Sequence, residues 1–314
     1  MKSQTASGLL IMVALAAGSV LVGAQTLTPM PQNPPREFGA SITPAFEGWY
    51  DNTDGTHSFL IGYYSRNTRA DVDVPIGPNN HFEPGEPDRG QPTHFLPSRR
   101  FGMFVVTVPK EFGKTQKIVW TLTANGQTFS IPFSMQPDYN VSPFKSSEQG
   151  AHGYNTPPIV RFDPNGPTFT GPAANPASAI VRTAVVSEPM ALDFWADDDG
   201  RYSTATSAPI DPAKPRPPVT LVVSKYRGPG AVVFGDARPK LEILRGGKPD
   251  ESYSGQTTTT VTFGRPGDYL LHVTANDYSG NGGGGSVCCW TTAIVKVTVR
   301  GLSPNPTQDG QRGE

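Results

Sequence analysis

The residues able to do chemistry fall into four groups. The only two cysteines, Cys288 and Cys289, are adjacent and follow a glycine run at 282–285. In an oxidising compartment such thiols do not stay casually reduced. Neighbouring strand residues face opposite ways, so bonding the pair to itself needs an eight-membered ring and a distorted backbone. Three states remain open: a vicinal disulfide serving as a rigid knuckle or redox site, one buried and one exposed thiol, or a bond to another chain. The acids Asp193, Asp197, Asp198 and Asp199 lie in one short run, and Asp277 lies near the end of a later strand. Loop carboxylates at one end of a β-sandwich suit calcium, with Asp197, Asp199 and Asp277 as ligands, although an acidic turn can equally be just solvated. No other cofactor is indicated.

The five histidines, His57, His81, His94, His152 and His272, show no H-E-x-x-H spacing. His81 and His94 share a proline-rich stretch with Glu83, Glu86 and Asp88, where they could contact a ligand or metal, or simply cap and stack. Nearby Arg89, Arg99 and Arg100 are suited to tying that stretch down. Trp49, Tyr50, Tyr63, Tyr64 and Trp120 could present a flat sugar-binding face, with Trp49 and Tyr64 as its contacts. Consecutive aromatics point to opposite faces of a strand, so some must be core. No nucleophile elbow, P-loop or dinucleotide fingerprint occurs. Paired carboxylates for glycoside hydrolysis need not be close in sequence, so a carbohydrate-active enzyme stays open.

These groups are positioned by an all-β chain. Residues 1–24 read as a secretory signal peptide: Lys2, an apolar run too short to span a bilayer comfortably, and a small-residue cleavage site at Ala24. No later stretch is apolar enough to cross a membrane as a helix. The formal charge of −1 argues against nucleic acid or anionic lipid as the main partner. With 34 glycines and 33 prolines, turns must be frequent. Alternating β-branched and aromatic runs predict strands at 46–50, 57–65, 101–108, 117–124 and 127–133. Further strands are predicted at 180–186, 190–196, 219–225, 231–234, 257–263, 268–275 and 292–299.

Asn125-Gly126 marks a type I′ hairpin that should put Trp120, Leu122, Phe129 and Ile131 on one face. The prolines between 74 and 101 make that stretch an ordered loop over one end of the first domain. Two β-sandwich-like domains in tandem are expected. A flexible leader at 25–39 precedes a β domain at 40–135. A linker at 136–157, crossed by few contacts, then leads to an Ig-like sandwich at 158–300 and a disordered tail at 301–314.

The turn ADDDG (196–200), the turn SKYRGPG (224–230) and the strand RPGDYLLHVTAND (265–277) occur in that order. This pattern resembles the polycystic-kidney-disease (PKD) and receptor-for-egg-jelly group of Ig-like modules over 158–300. The resemblance implies a β-sandwich recurring in extracellular bacterial proteins. Where such modules carry tryptophan before Ser-Lys, this chain has Val223, so Trp195 or Trp290 is expected to supply the missing core volume. The first domain is similar to a segment of uncharacterised secreted bacterial proteins, through FEGWYDNTDG (46–55) and GYYSRN (62–67), which brings no activity with it. The expectation is a non-enzymatic binding or structural protein, secreted to the periplasm, cell envelope or extracellular space, that contacts protein or glycan. The alternative is a carbohydrate-active enzyme or its accessory binding subunit.

Overall fold

The computed structural model describes residues 34–145, 155–201, 217–248, 251–277 and 288–302. The signal peptide, most of the leader, the centre of the linker, the 282–285 glycine run, His152 and nearly all of the tail lie outside the described residues. From Asn33 onward the chain forms one compact unit.

The first half contains β1 (Ile42–Asp51), β2 (His57–Ser65), β3 (Val72–Asp73), β4 (Asn80–Glu83), β5 (His94–Phe95), β6 (Ser98–Val108), β7 (Ile118–Ala124) and β8 (Gln127–Phe133). They form antiparallel sheets ordered β1-β2-β6 and β4-β7-β8, with a small β3-β5 ladder. At the β7–β8 turn Asn125 and Gly126 both have positive φ, +52° and +76°, as a type I′ hairpin requires. That turn pairs Trp120 with Ile131 and Leu122 with Phe129. Trp120 stacks on Phe82 at 5.7 Å and meets Phe104 edge-on at 5.4 Å, so this face fills the space between the two larger sheets.

The proline stretch is not strandless. Residues 80–83 lie between Pro78 and Pro84, and β4 uses that proline-free window to pair with the edge of β7. Asn80 holds the stretch in place. Its buried amide donates to Val74 O at 2.9 Å and to Pro92 O at 2.8 Å, and accepts from Trp120 Nε1 at 2.9 Å.

The second half contains β9 (Ile159–Arg161), β10 (Phe169–Thr170), β11 (Ile180–Val185), β12 (Met190–Asp198), β13 (Thr220–Arg227), β14 (Val232–Phe234), β15 (Glu242–Arg245), β16 (Tyr253–Phe263), β17 (Gly267–Asn276) and β18 (Trp290–Arg300). One sheet runs β10-β9-β12-β16-β14, with β15 also on β16; the other runs β11-β18-β17-β13. Reading β9 and β11 as a split first strand, the sheets hold A-B-E and G-F-C, the immunoglobulin arrangement. Tyr269 supplies a tyrosine corner: its hydroxyl donates to Arg265 O at 2.8 Å. Gly228, at φ +145°, lets the SKYRGPG turn pass this ring, because a Cβ there would collide with it. Tyr269→Phe is expected to cost about 1–2 kcal/mol, read as a lower urea midpoint at unchanged slope. An unchanged midpoint would show that the hydroxyl contributes nothing.

Neither expected tryptophan fills this core. Trp195 lies on the outer face of β12, and Trp290 packs with Tyr50, Leu60 and Val105 of the first half. The volume comes from Phe194, Tyr253, Phe263 and Tyr269, all fully buried.

The segment 136–157 does not separate the halves. The centre of the β11-β18-β17-β13 sheet is covered on both faces, β18 being buried without interruption from Trp290 to Val295, whereas Val181 on the β11 edge stays exposed. Tyr226 and Ile294 belong to the first half's core. His272 is 1% exposed, with Nε2 2.7 Å from Met103 O. Gly102, at φ +47°, sits against the Trp290 indole, where a Cβ would collide.

Candidate functional site

A cleft of about 840 Å³ opens between the proline stretch and β13. The β3-β5 ladder pairs Val72 with Phe95 and Asp73 with His94. Alternation sends Phe95 inward, onto Tyr63 at 5.1 Å, and His94 outward to the cleft wall. His94 Nδ1 lies 2.8 Å from Asp73 and Nε2 lies 3.3 Å from Asp71. A neutral imidazole donates from only one nitrogen, whereas imidazolium donates from both. Lys225, from β13, reaches Asp73 at 3.5 Å, and Arg100 and Arg238 add cationic groups to the wall. The cleft therefore offers a mixed charged surface over an apolar floor that includes Leu96 and Val232.

A clamp behind the cleft fixes its walls. Arg227 binds both oxygens of Asp88 at 2.8 Å and donates Nε to Gln91 O at 2.8 Å. The two-pronged pairing holds the Asp88 carboxyl below its ordinary range. Tyr226, fully buried, donates its hydroxyl to Gly90 O at 2.6 Å, and burial pushes this phenol far up. Nothing in the local pattern of SKYRGPG, with its single aromatic, signals that Tyr226 and Arg227 grip a loop more than 130 residues upstream.

The aromatic pair proposed from sequence does not form a platform. Trp49 is 8% exposed and donates Nε1 to Gln136 O at 2.7 Å. Tyr64 lies toward the other end of the β1–β2 ladder, opposite Thr43, with the Arg66 guanidinium 5.1 Å from its ring centre. His81 and His94 are not brought together: His81 stands on β4 opposite Thr121, and its buried Nδ1 has no partner among the described residues. Asp88, a suggested co-ligand, is committed to Arg227.

At the pole of the C-terminal sandwich the acids are arranged differently from expectation. Asp197 points to the outer face and pairs with Arg161 at 2.7 Å. Asp199 accepts from Thr156 Oγ1 at 2.8 Å. Asp198 is the inward member, 7% exposed, and Asp277 is 2% exposed. Burial first, then the charge of Asp277, pushes the Asp198 carboxyl up to about 8. The strict alternation of Leu192, Phe194 and Ala196 with outward residues carries the signal that Asp198, two residues further on, faces in. Cys288 and Cys289 are bonded to each other, both buried, with Cys288 Sγ 3.9 Å from Asn155 O.

No protein-family model and no curated protein matches the chain. Among solved structures, domains 4 and 5 of the S-layer protein SbsC align over 83% of this chain and 98% of their own length, at 11% identity and a TM-score of 0.20. The Yersinia pseudotuberculosis adhesin InvE aligns over 85% of this chain and 60% of its own, at 10% identity and a TM-score of 0.18. No helix among the described residues is long and apolar enough to cross a membrane.

Proposed function

We propose that this is a secreted binding or structural protein of the extracellular space or cell envelope, acting through protein or glycan contacts. The cleft between the proline stretch and β13 is its recognition site. The observation that carries this reading is the cleft itself, of about 840 Å³, walled by His94, Asp73, Lys225 and Arg100 from both halves. Its size suits a small or linear ligand, and its charged groups suit hydroxyl-rich or charged partners. The C-terminal sandwich is read as a PKD-type module, supported by its strand order, the SKYRGPG turn and the tyrosine corner. The enzymatic alternative is less well supported, since the two carboxylates that line the cleft, Asp71 and Asp73, are both engaged by His94.

The test is retention of the protein on cellulose, chitin and peptidoglycan, together with a glycan array. We expect retention on at least one probe, weakened about tenfold or more by His94→Ala and by Lys225→Ala, the range for losing a charged contact. Retention unchanged in both variants would remove the cleft as the site. No retention on any probe would remove glycan as the partner.

A further inference from the structure

Four backbone segments converge on the acidic pole of the C-terminal sandwich. β12 brings Asp198 inward as the last of its buried row, and β17 leads directly into Asp277. The segment before β9 brings Asn155, 1% exposed, whose carboxamide lies 2.6 Å from Asp277 Oδ2. Thr156 beside it is fixed to Asp199 through both its backbone N–H and its hydroxyl, so the segment and the turn after β12 are locked together. The disulfide-bonded Cys288 backs Asn155 from the fourth side.

Asp198 is the anomaly here. Oδ1 accepts the Gly200 N–H at 2.8 Å, but Oδ2 is buried with no hydrogen-bond partner among the described residues. No lysine or arginine is ion-paired with it there, and a second buried carboxylate acts on it. Buried carboxylates are stable only when paired, protonated or coordinating a metal. We propose that Asp198 and Asp277, with the carboxamide of Asn155, hold a calcium ion. The donors are all oxygen once the amide is turned over, as a carboxamide can be, and such a hard set selects calcium over softer metals. No group of three His, Cys, Asp or Glu side chains gathers among the described residues. Two carboxylates and one carboxamide among the described residues place the affinity near the weak extracellular range, a Kd of about 10⁻⁴–10⁻³ M.

The experiment is thermal unfolding of the full chain in EDTA and in 10 mM calcium chloride, with calorimetric titration of calcium alone. In wild type we expect one ion bound and a Tm higher by about 5 °C in calcium. Asp198→Asn, which keeps the shape and removes one charge, is expected to be the more stable protein in EDTA and to lose the calcium response, with binding weakened tenfold or more. Asp277→Asn should lose the response as well, while Asp193→Asn, on the outer face, should keep it. A calcium response that survives in both Asp198→Asn and Asp277→Asn comes from elsewhere and overturns the site. Should a variant fail to fold, wild type decides: neither heat nor Tm shift up to 10 mM calcium also overturns it.

Discussion

Trp120→Ala is expected to lower stability by about 3–5 kcal/mol, the largest effect of any single substitution discussed for this protein. Trp120 is fully buried between the two larger sheets of the first half, stacked on Phe82 and Phe95 and edge-on to Phe104. Alanine would leave a cavity that three surrounding aromatic rings, each held by its own strand, cannot collapse to fill. It would also strip the indole N–H from Asn80, whose remaining hydrogen bonds hold the Val74 and Pro92 carbonyls of the proline stretch. Urea unfolding should therefore show a lower midpoint, and limited proteolysis should cut the 75–93 stretch earlier than in wild type. Trp120→Phe keeps part of the ring stack and should lose about half as much. A loss under about 1 kcal/mol for alanine would contradict the packing described.

The second large effect is a loss of stability in mild acid, carried by His272. Burial holds its imidazole down at about 4, below its ordinary value of 6.5. The native state keeps the ring neutral while the unfolded state takes a proton below pH 6.5, so between about 4 and 6.5 the unfolded chain binds more protons. Stability then rises with pH across that window and is complete above it. The full effect is about 3 kcal/mol, lost progressively as the pH falls from 6.5 towards 4. His272→Gln keeps a donor for Met103 O and removes the titration, so its urea midpoint should fall less steeply between pH 7 and pH 4.5. Parallel pH profiles for variant and wild type would refute this assignment.

His272 also shows where sequence reading stops. The strands were legible because their periodicity is local: 57–65 and 127–133 appear in the structure with the bounds read from sequence, and the Asn-Gly turn set the β7–β8 register. The second face of the β17 sheet was not legible. His272, Thr291 and Thr292 look like solvent-facing polar residues, yet each is about 1% exposed. Their polar groups are satisfied by the backbone of Met103, Gly171 and Ala174. Partners so far away in the chain leave no periodic trace, and the shared seam and the cleft wall follow from them. Asp198 is absent from the expected calcium set of Asp197, Asp199 and Asp277 for a related reason: an inward carboxylate breaks the rule that charge faces out. β4 was missed because prolines on both sides hide a four-residue window that can still pair.

The pairing of β11 with β18 has a mechanical consequence. It is the one parallel pair among the extended ladders of the second half, joining Ile180 through Val185 to Val295 through Arg300 in register. Because the two strands run the same way, tension entering β11 at its start and leaving β18 at its end slides one along the other. All six paired positions are then strained together, whereas an antiparallel edge pulled from one end would open one pair at a time. The C-terminal sandwich is thus built as a shear joint, able to carry load along the chain.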